Sequence, residues 1–246
     1  MFPIKFESDT SSESLNNIQI DYDADDIRKY QPVDIATQLT LFNRHFLLLI
    51  QPEELINFAF LSTEKKTLAP NLTIIFAFYD RTVRLFATQI LKHQLLEQRA
   101  SIIKHLVLVI QQLFTVNHDL QSIRLILATF DHPSIFRLRQ TWRIFRRENP
   151  NLYITLKYFW NVLSQGNNWS DYRLWIEEKF IKDCLSKKQP MVLFVGYLLS
   201  KMISDHYRYY RIYSNDSSNE KSSRVHQNLI EYVKLSSPTE KFLSEK

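Results

Sequence analysis

Seven histidines, His45, His93, His105, His118, His132, His206 and His226, are scattered singly along the 246-residue chain. No two follow the His-x-x-x-His or His-Glu-x-x-His spacing that sets two imidazoles on one helix face. Cys184 is the single cysteine, so no thiolate pair and no internal disulfide can form, which fits a reducing compartment. Its simplest reading is a small core or helix-surface residue. Glu53-Glu54 and Glu177-Glu178 are adjacent carboxylates. Sequence neighbours on a helix point in different directions, so neither pair makes an acid/base couple. No Gly-x-Ser-x-Gly elbow occurs, and Gly166 and Gly196 are the only glycines. That excludes Gly-rich phosphate loops and argues against β-rich folds with many tight turns. The residue types offer no constellation for bond-making catalysis, and neither a metal nor a cofactor is expected.

What remains is surface chemistry. The net charge is +5, unevenly spread. Residues 1–30 hold three basic and seven acidic residues, a balance of −4, so the rest of the chain carries +9. Arg137, Arg139, Arg143, Arg146 and Arg147 form a dense run. A solvated helix face is its plainest reading; an anionic membrane surface is a second candidate partner, and no nucleic acid is expected.

The elements that position these residues are helical. Residues 1–30 read as an acidic, Ser-rich tail or linker, and 31–246 as one domain. Ile35 to Ile50 repeats apolar residues at three and four, with Asp34 able to cap it. Pro52 opens a further helix, and Thr63 to Pro70 reads as a polar loop. Leu72 to Leu95 is a long apolar helix. Ser101 to Phe114 is apolar on nearly every face, the pattern of a central buried helix. It contains Lys104 and His105, and no uninterrupted apolar run approaches the ~18 residues of a membrane span. Asp119 is placed to cap a helix from Leu120 to Thr129, and Asp131-His132-Pro133-Ser134 marks a turn before a helix that begins at Ile135. Leu152 to Leu163, Tyr172 to Leu185 and the apolar Met191 to Ile203 follow, with a last helix expected over Val225 to Leu235.

Four segments carry a family resemblance. Ala36-Thr37-Gln38-Leu39-Thr40 stands at the entry, and Arg99-Ala100 opens the central helix. The corner His118-Asp119-Leu120-Gln121-Ser122 precedes Arg137-Leu138-Arg139-Gln140-Thr141-Trp142. Leu163-Ser164 leads to Asp171-Tyr172-Arg173, and the stretch from Pro190 retains Val192, Phe194, Gly196 and Leu198. In this order and spacing, over about residues 31–212, they resemble the catalytic domain of Ras-family guanine-nucleotide exchange factors, the RasGEF domain.

The resemblance implies an all-α, multi-helix domain with a projecting helical hairpin, here over 196–235. It implies a Ras-superfamily small GTPase as partner, GDP release without covalent chemistry, and no cofactor. His118, Asp119 and Gln121 would face the GTPase's held switch. Trp169 and Phe194 would line an apolar pocket for it, with Met202 and His206 as further contacts. Ile203 would lie against the metal site as a wedge residue that need not be packed in the free protein. Tyr207 falls where the family often has an acid near the phosphate loop, and Asp205 is the nearest acid. The site of action would be the cytoplasm, at a membrane surface if recruited there, or the host cytoplasm for a bacterial effector. The family's corner asparagines are replaced by His118, Asp119 and Gln121. A weak or inactive module that keeps the fold and binds a GTPase or another protein is therefore the alternative.

Overall fold

The computed structural model describes residues 25–163 and 170–213. Twelve α-helices joined by short 3-10 and π turns run through them, and among the described residues the only extended pairing is one parallel bridge, Asp119 to Val192. The fold is all-α, as the sequence indicates.

Residues 25–30 join the packed body, although the sequence reads as tail up to Tyr30. Ile27 is buried, and its N–H donates to Gln89 Oε1 at 3.2 Å. Asp26 accepts from the Arg28 N–H and guanidinium, which holds its carboxyl down at about 2.

Helix α1 (Pro32–Leu49) starts with proline at its first turn and buries Ile35, Leu39, Phe42 and Phe46, the expected stripe. A short α2 (Pro52–Leu55), a 3-10 turn (Ile56–Leu61) and α3 (Lys65–Leu68) lead to α4 (Pro70–Leu91). Glu54 joins these pieces. Its buried carboxylate accepts from the Leu72 N–H at 3.0 Å and from Asn71 Nδ2 at 2.6 Å, at the start of α4, where a negative charge suits the helix dipole. Helix α4 stops four residues before the expected Leu95, where Arg99 Nε takes the His93 carbonyl at 2.6 Å in the turn to the next helix.

The centre is α5 (Leu96–Gln112), continued by a π turn over Leu113–Asn117. Together they are 22 residues with a window of mean hydropathy 1.3, long and apolar enough to cross a membrane by length and composition. Ile102, Ile103, Leu106, Val107, Val109 and Ile110 are instead wholly buried in protein core, against α1, the later helix Arg139–Glu148 and their neighbours. The apolarity comes from a central position in the bundle.

Next come α6 (Leu120–Asp131), α7 (Pro133–Phe136), α8 (Arg139–Glu148) and α9 (Pro150–Val162). The helix expected to run on from Ile135 is broken at Leu138. The Ile135 carbonyl accepts from the Trp142 indole at 3.0 Å and from the Leu138 N–H at 3.0 Å. Trp142 then packs edge-on to Phe130, with centroids 5.4 Å apart. The expected 172–185 helix is split by a π turn: α10 (Ser170–Trp175), the turn Ile176–Phe180, and α11 (Ile181–Ser186). Cys184 is buried there. The last described helix is α12 (Val195–Tyr213).

Candidate functional site

The site grows out of the corner after α5. His118 adopts the left-handed conformation, φ 51°, which ends the π turn and aims the next residue inward. Asp119 is fully buried and caps α6 as expected, accepting from the Ser122 N–H at 2.9 Å. Its carboxylate also accepts from Ser122 Oγ at 2.6 Å, Thr40 Oγ1 at 3.1 Å and Asn43 Nδ2 at 3.1 Å. Asn43 Nδ2 in turn donates to Ser122 Oγ at 2.7 Å. Burial pushes the Asp119 carboxyl above the ordinary carboxylate range, while these donors pull the other way.

The corner seats the start of the last described helix, α12. Leu120 N–H donates to the Val192 carbonyl at 2.8 Å, and Val192 N–H to the His118 carbonyl at 2.9 Å. Gln121 Oε1 accepts the Val195 N–H at 2.9 Å, so a side chain of the corner satisfies the first amide of α12. Phe194, half-buried, precedes it, and its ring lies over Gly196: a Cβ on Gly196 would stand 2.6 Å from Phe194 Cζ.

Helix α12 is packed chiefly over its first turns. Val195, Leu199 and Ile203 lie on one apolar stripe and are buried. Tyr197 packs edge-on to Tyr172 at 4.8 Å, and its hydroxyl donates to Glu177 Oε1 at 3.0 Å. Lys201 Nζ reaches the same carboxylate. Those donors lower the Glu177 pKa, while burial and the nearby carboxylate raise Tyr197 to about 12. Further along the helix Met202, 38% exposed, and Ser204, Asp205 and His206 are open to solvent. Beside it runs a groove of about 500 Å³ lined by Leu55, Ile56, Phe58, Met202 and His206. His206 meets the Phe58 ring edge-on at 4.9 Å.

The residues singled out from sequence thus fall into four groups. Met202, Asp205 and His206 share the exposed face of α12. Asp119 and Gln121, expected to face a partner, turn inward and build the corner, and only His118, half-buried, reaches its surface. Ile203, expected to be unpacked in the free protein, is 1% exposed and belongs to the core, because it falls one turn after Leu199 on the buried stripe. Tyr207 is half-buried against the core. Trp169 and the hairpin beyond Tyr213 lie outside the described residues.

Thr40 and Asn43 were missed, although Asn43 left a signal. It stands on the apolar stripe of α1 between Phe42 and Phe46, where a polar side chain must find a buried partner. The groove residues Leu55, Ile56 and Phe58 left none. Among the described residues no group of three His, Cys, Asp or Glu side chains could hold a metal ion.

The family model of the RasGEF domain matches residues 34–236. The chain is 27% identical over 235 residues to mouse (Mus musculus) Ras-specific guanine nucleotide-releasing factor RalGPS1, covering 92% of this chain and 38% of that protein. It is 27% identical over 202 residues to human RalGPS2, covering 80% and 33%. With Ras guanine nucleotide exchange factor E of Dictyostelium discoideum it shares 30% over 141 residues, covering 57% and 13%. The chain therefore spans about a third of the length of the two mammalian relatives.

Proposed function

Because the chain belongs to the RasGEF family, we propose that it is a guanine-nucleotide exchange factor that binds a Ras-superfamily small GTPase and promotes GDP release by a helical-hairpin wedge. The observation that carries this reading is the joint between corner and hairpin. Gln121 closes the first amide of α12, and the Asp119 network fixes the segment that holds Gln121. A helix anchored at its base and open along its later turns can press on a partner without giving way.

In this reading the exposed face of α12 enters the GTPase. Met202 supplies the apolar contact near the metal site, a role the buried Ile203 cannot fill before rearrangement. Asp205 brings negative charge toward the phosphates and disfavours them. The groove between α12 and Leu55, Ile56 and Phe58 receives an apolar side chain of the held switch. Factor and nucleotide are then competing ligands of one GTPase, coupled negatively and reciprocally. No bond is made or broken, and the prevailing nucleotide excess sets the direction of exchange.

Met202→Asp tests the face. The side chain is partly exposed, so the loss of thermal stability should stay at about 1 kcal/mol, well short of unfolding. The complex with a nucleotide-free GTPase, followed by gel filtration, should be lost. A complex of unchanged affinity in that variant would remove α12 from the interface.

A further inference from the structure

Helix α8 carries a charge pattern that neither its packing nor the exchange reading uses. Arg139, Arg143, Arg146 and Arg147 are all exposed. At 100° per residue they fall within an arc of about 100°, over about 12 Å of helix. Arg137, just ahead of the helix, is exposed as well. The opposite side holds the buried Thr141 and Phe145, and the helix packs chiefly on α5 and α9.

Helix stability explains only part of this. Arg146 and Arg147 sit in the last turn, where cations suit the dipole, and Arg146 lies over the Tyr153 ring at 5.7 Å. Arg147 also meets Glu148 at 3.4 Å, with both side chains largely in solvent. Arg139 occupies the first turn and Arg137 precedes it, where positive charge opposes the dipole. Arg137, Arg139 and Arg143 meet no carboxylate among the described residues. All five positions are arginine and none is lysine. The planar guanidinium fork matches phosphate oxygens in a way the ammonium does not. The face is anchored from behind by its packing on α5 and α9, so an anionic layer meets its arginines together.

We propose that the arginine face of α8, with Arg137, docks this protein on an anionic lipid bilayer through lipid phosphates. The full chain should co-sediment with phosphatidylcholine vesicles that contain phosphatidylserine or a phosphoinositide, and not with phosphatidylcholine alone. Added salt should weaken the binding. Arg137→Ala, Arg139→Ala and Arg143→Ala should each weaken it about fivefold, and the triple variant about 100-fold. Their melting curves should match the parent, since all three side chains are exposed. Equal binding to neutral vesicles would overturn the proposal, as would full binding by the folded triple variant. Displacement from anionic vesicles by duplex nucleic acid at equal phosphate concentration would overturn it too, and would give the face to a nucleic acid.

Discussion

Asp119→Ala should lower stability by about 3 kcal/mol and abolish exchange. The substitution removes the cap of α6, a loss of about 0.5–2 kcal/mol. It also takes an acceptor from the buried Asn43 amide and from the Ser122 hydroxyl, and an unsatisfied buried donor costs about 1–3 kcal/mol. For a domain of this size the midpoint should fall by about 6–12 °C in a thermal melt. Activity should go further than stability, because the residues freed are those that hold Gln121 beneath α12. Asp119→Asn should fall between. Its carbonyl can still accept the Ser122 N–H, but its amide meets donors on the other side. A melt within about 1 °C of the parent for Asp119→Ala would mean the network is not what holds the corner.

Ile203→Asp should be the more damaging variant. From the sequence this position reads as a wedge residue whose replacement spares the fold. In the structure it is core, so a carboxylate there enters an apolar interior with no partner among its packed neighbours. Changes of this kind cost more than about 4 kcal/mol. Circular dichroism should show a protein unfolded or nearly so at moderate temperature, and its lost exchange says nothing of the wedge. Ile203→Ala should cost about 2–4 kcal/mol through the cavity alone. If Ile203→Asp melts like the parent, Ile203 is exposed in solution and the hairpin is seated differently. Met202→Asp, one residue earlier and on the open face, is the variant that separates interface from fold.

The helical fold could be read from sequence because its signals are local. The stripe of α1 and the proline at its start are periodicities and caps, and Asp119 announces α6 as a capping residue ahead of an apolar run. The breaks were hidden because they depend on distant groups. Leu138 interrupts a good helical pattern only when the Trp142 indole takes the Ile135 carbonyl. The π turns at Leu113–Asn117 and Ile176–Phe180 add a residue to a helical turn, which a count of apolar positions absorbs without notice. At the site, the resemblance marked the corner and the hairpin but not which way their side chains face. Asp119 and Gln121 are polar and were expected outside; three-dimensional packing supplied Thr40, Asn43 and the Val195 amide as inner partners, between 74 and 79 residues away. Ile203 shows the reverse, since steps of four from Val195 through Leu199 put it on the buried stripe.

Release of a fluorescent guanine nucleotide tests the central claim most directly. Ras-, Rap-, Ral-, Rho-, Rab- and Ran-type GTPases would be loaded and followed with and without this protein. The hairpin reading predicts faster release from a Ras-type member, dependent on factor concentration and lost in Met202→Asp. Unchanged release across the panel would contradict it. A stable complex with a nucleotide-free GTPase in that case would leave a binding module on the same fold.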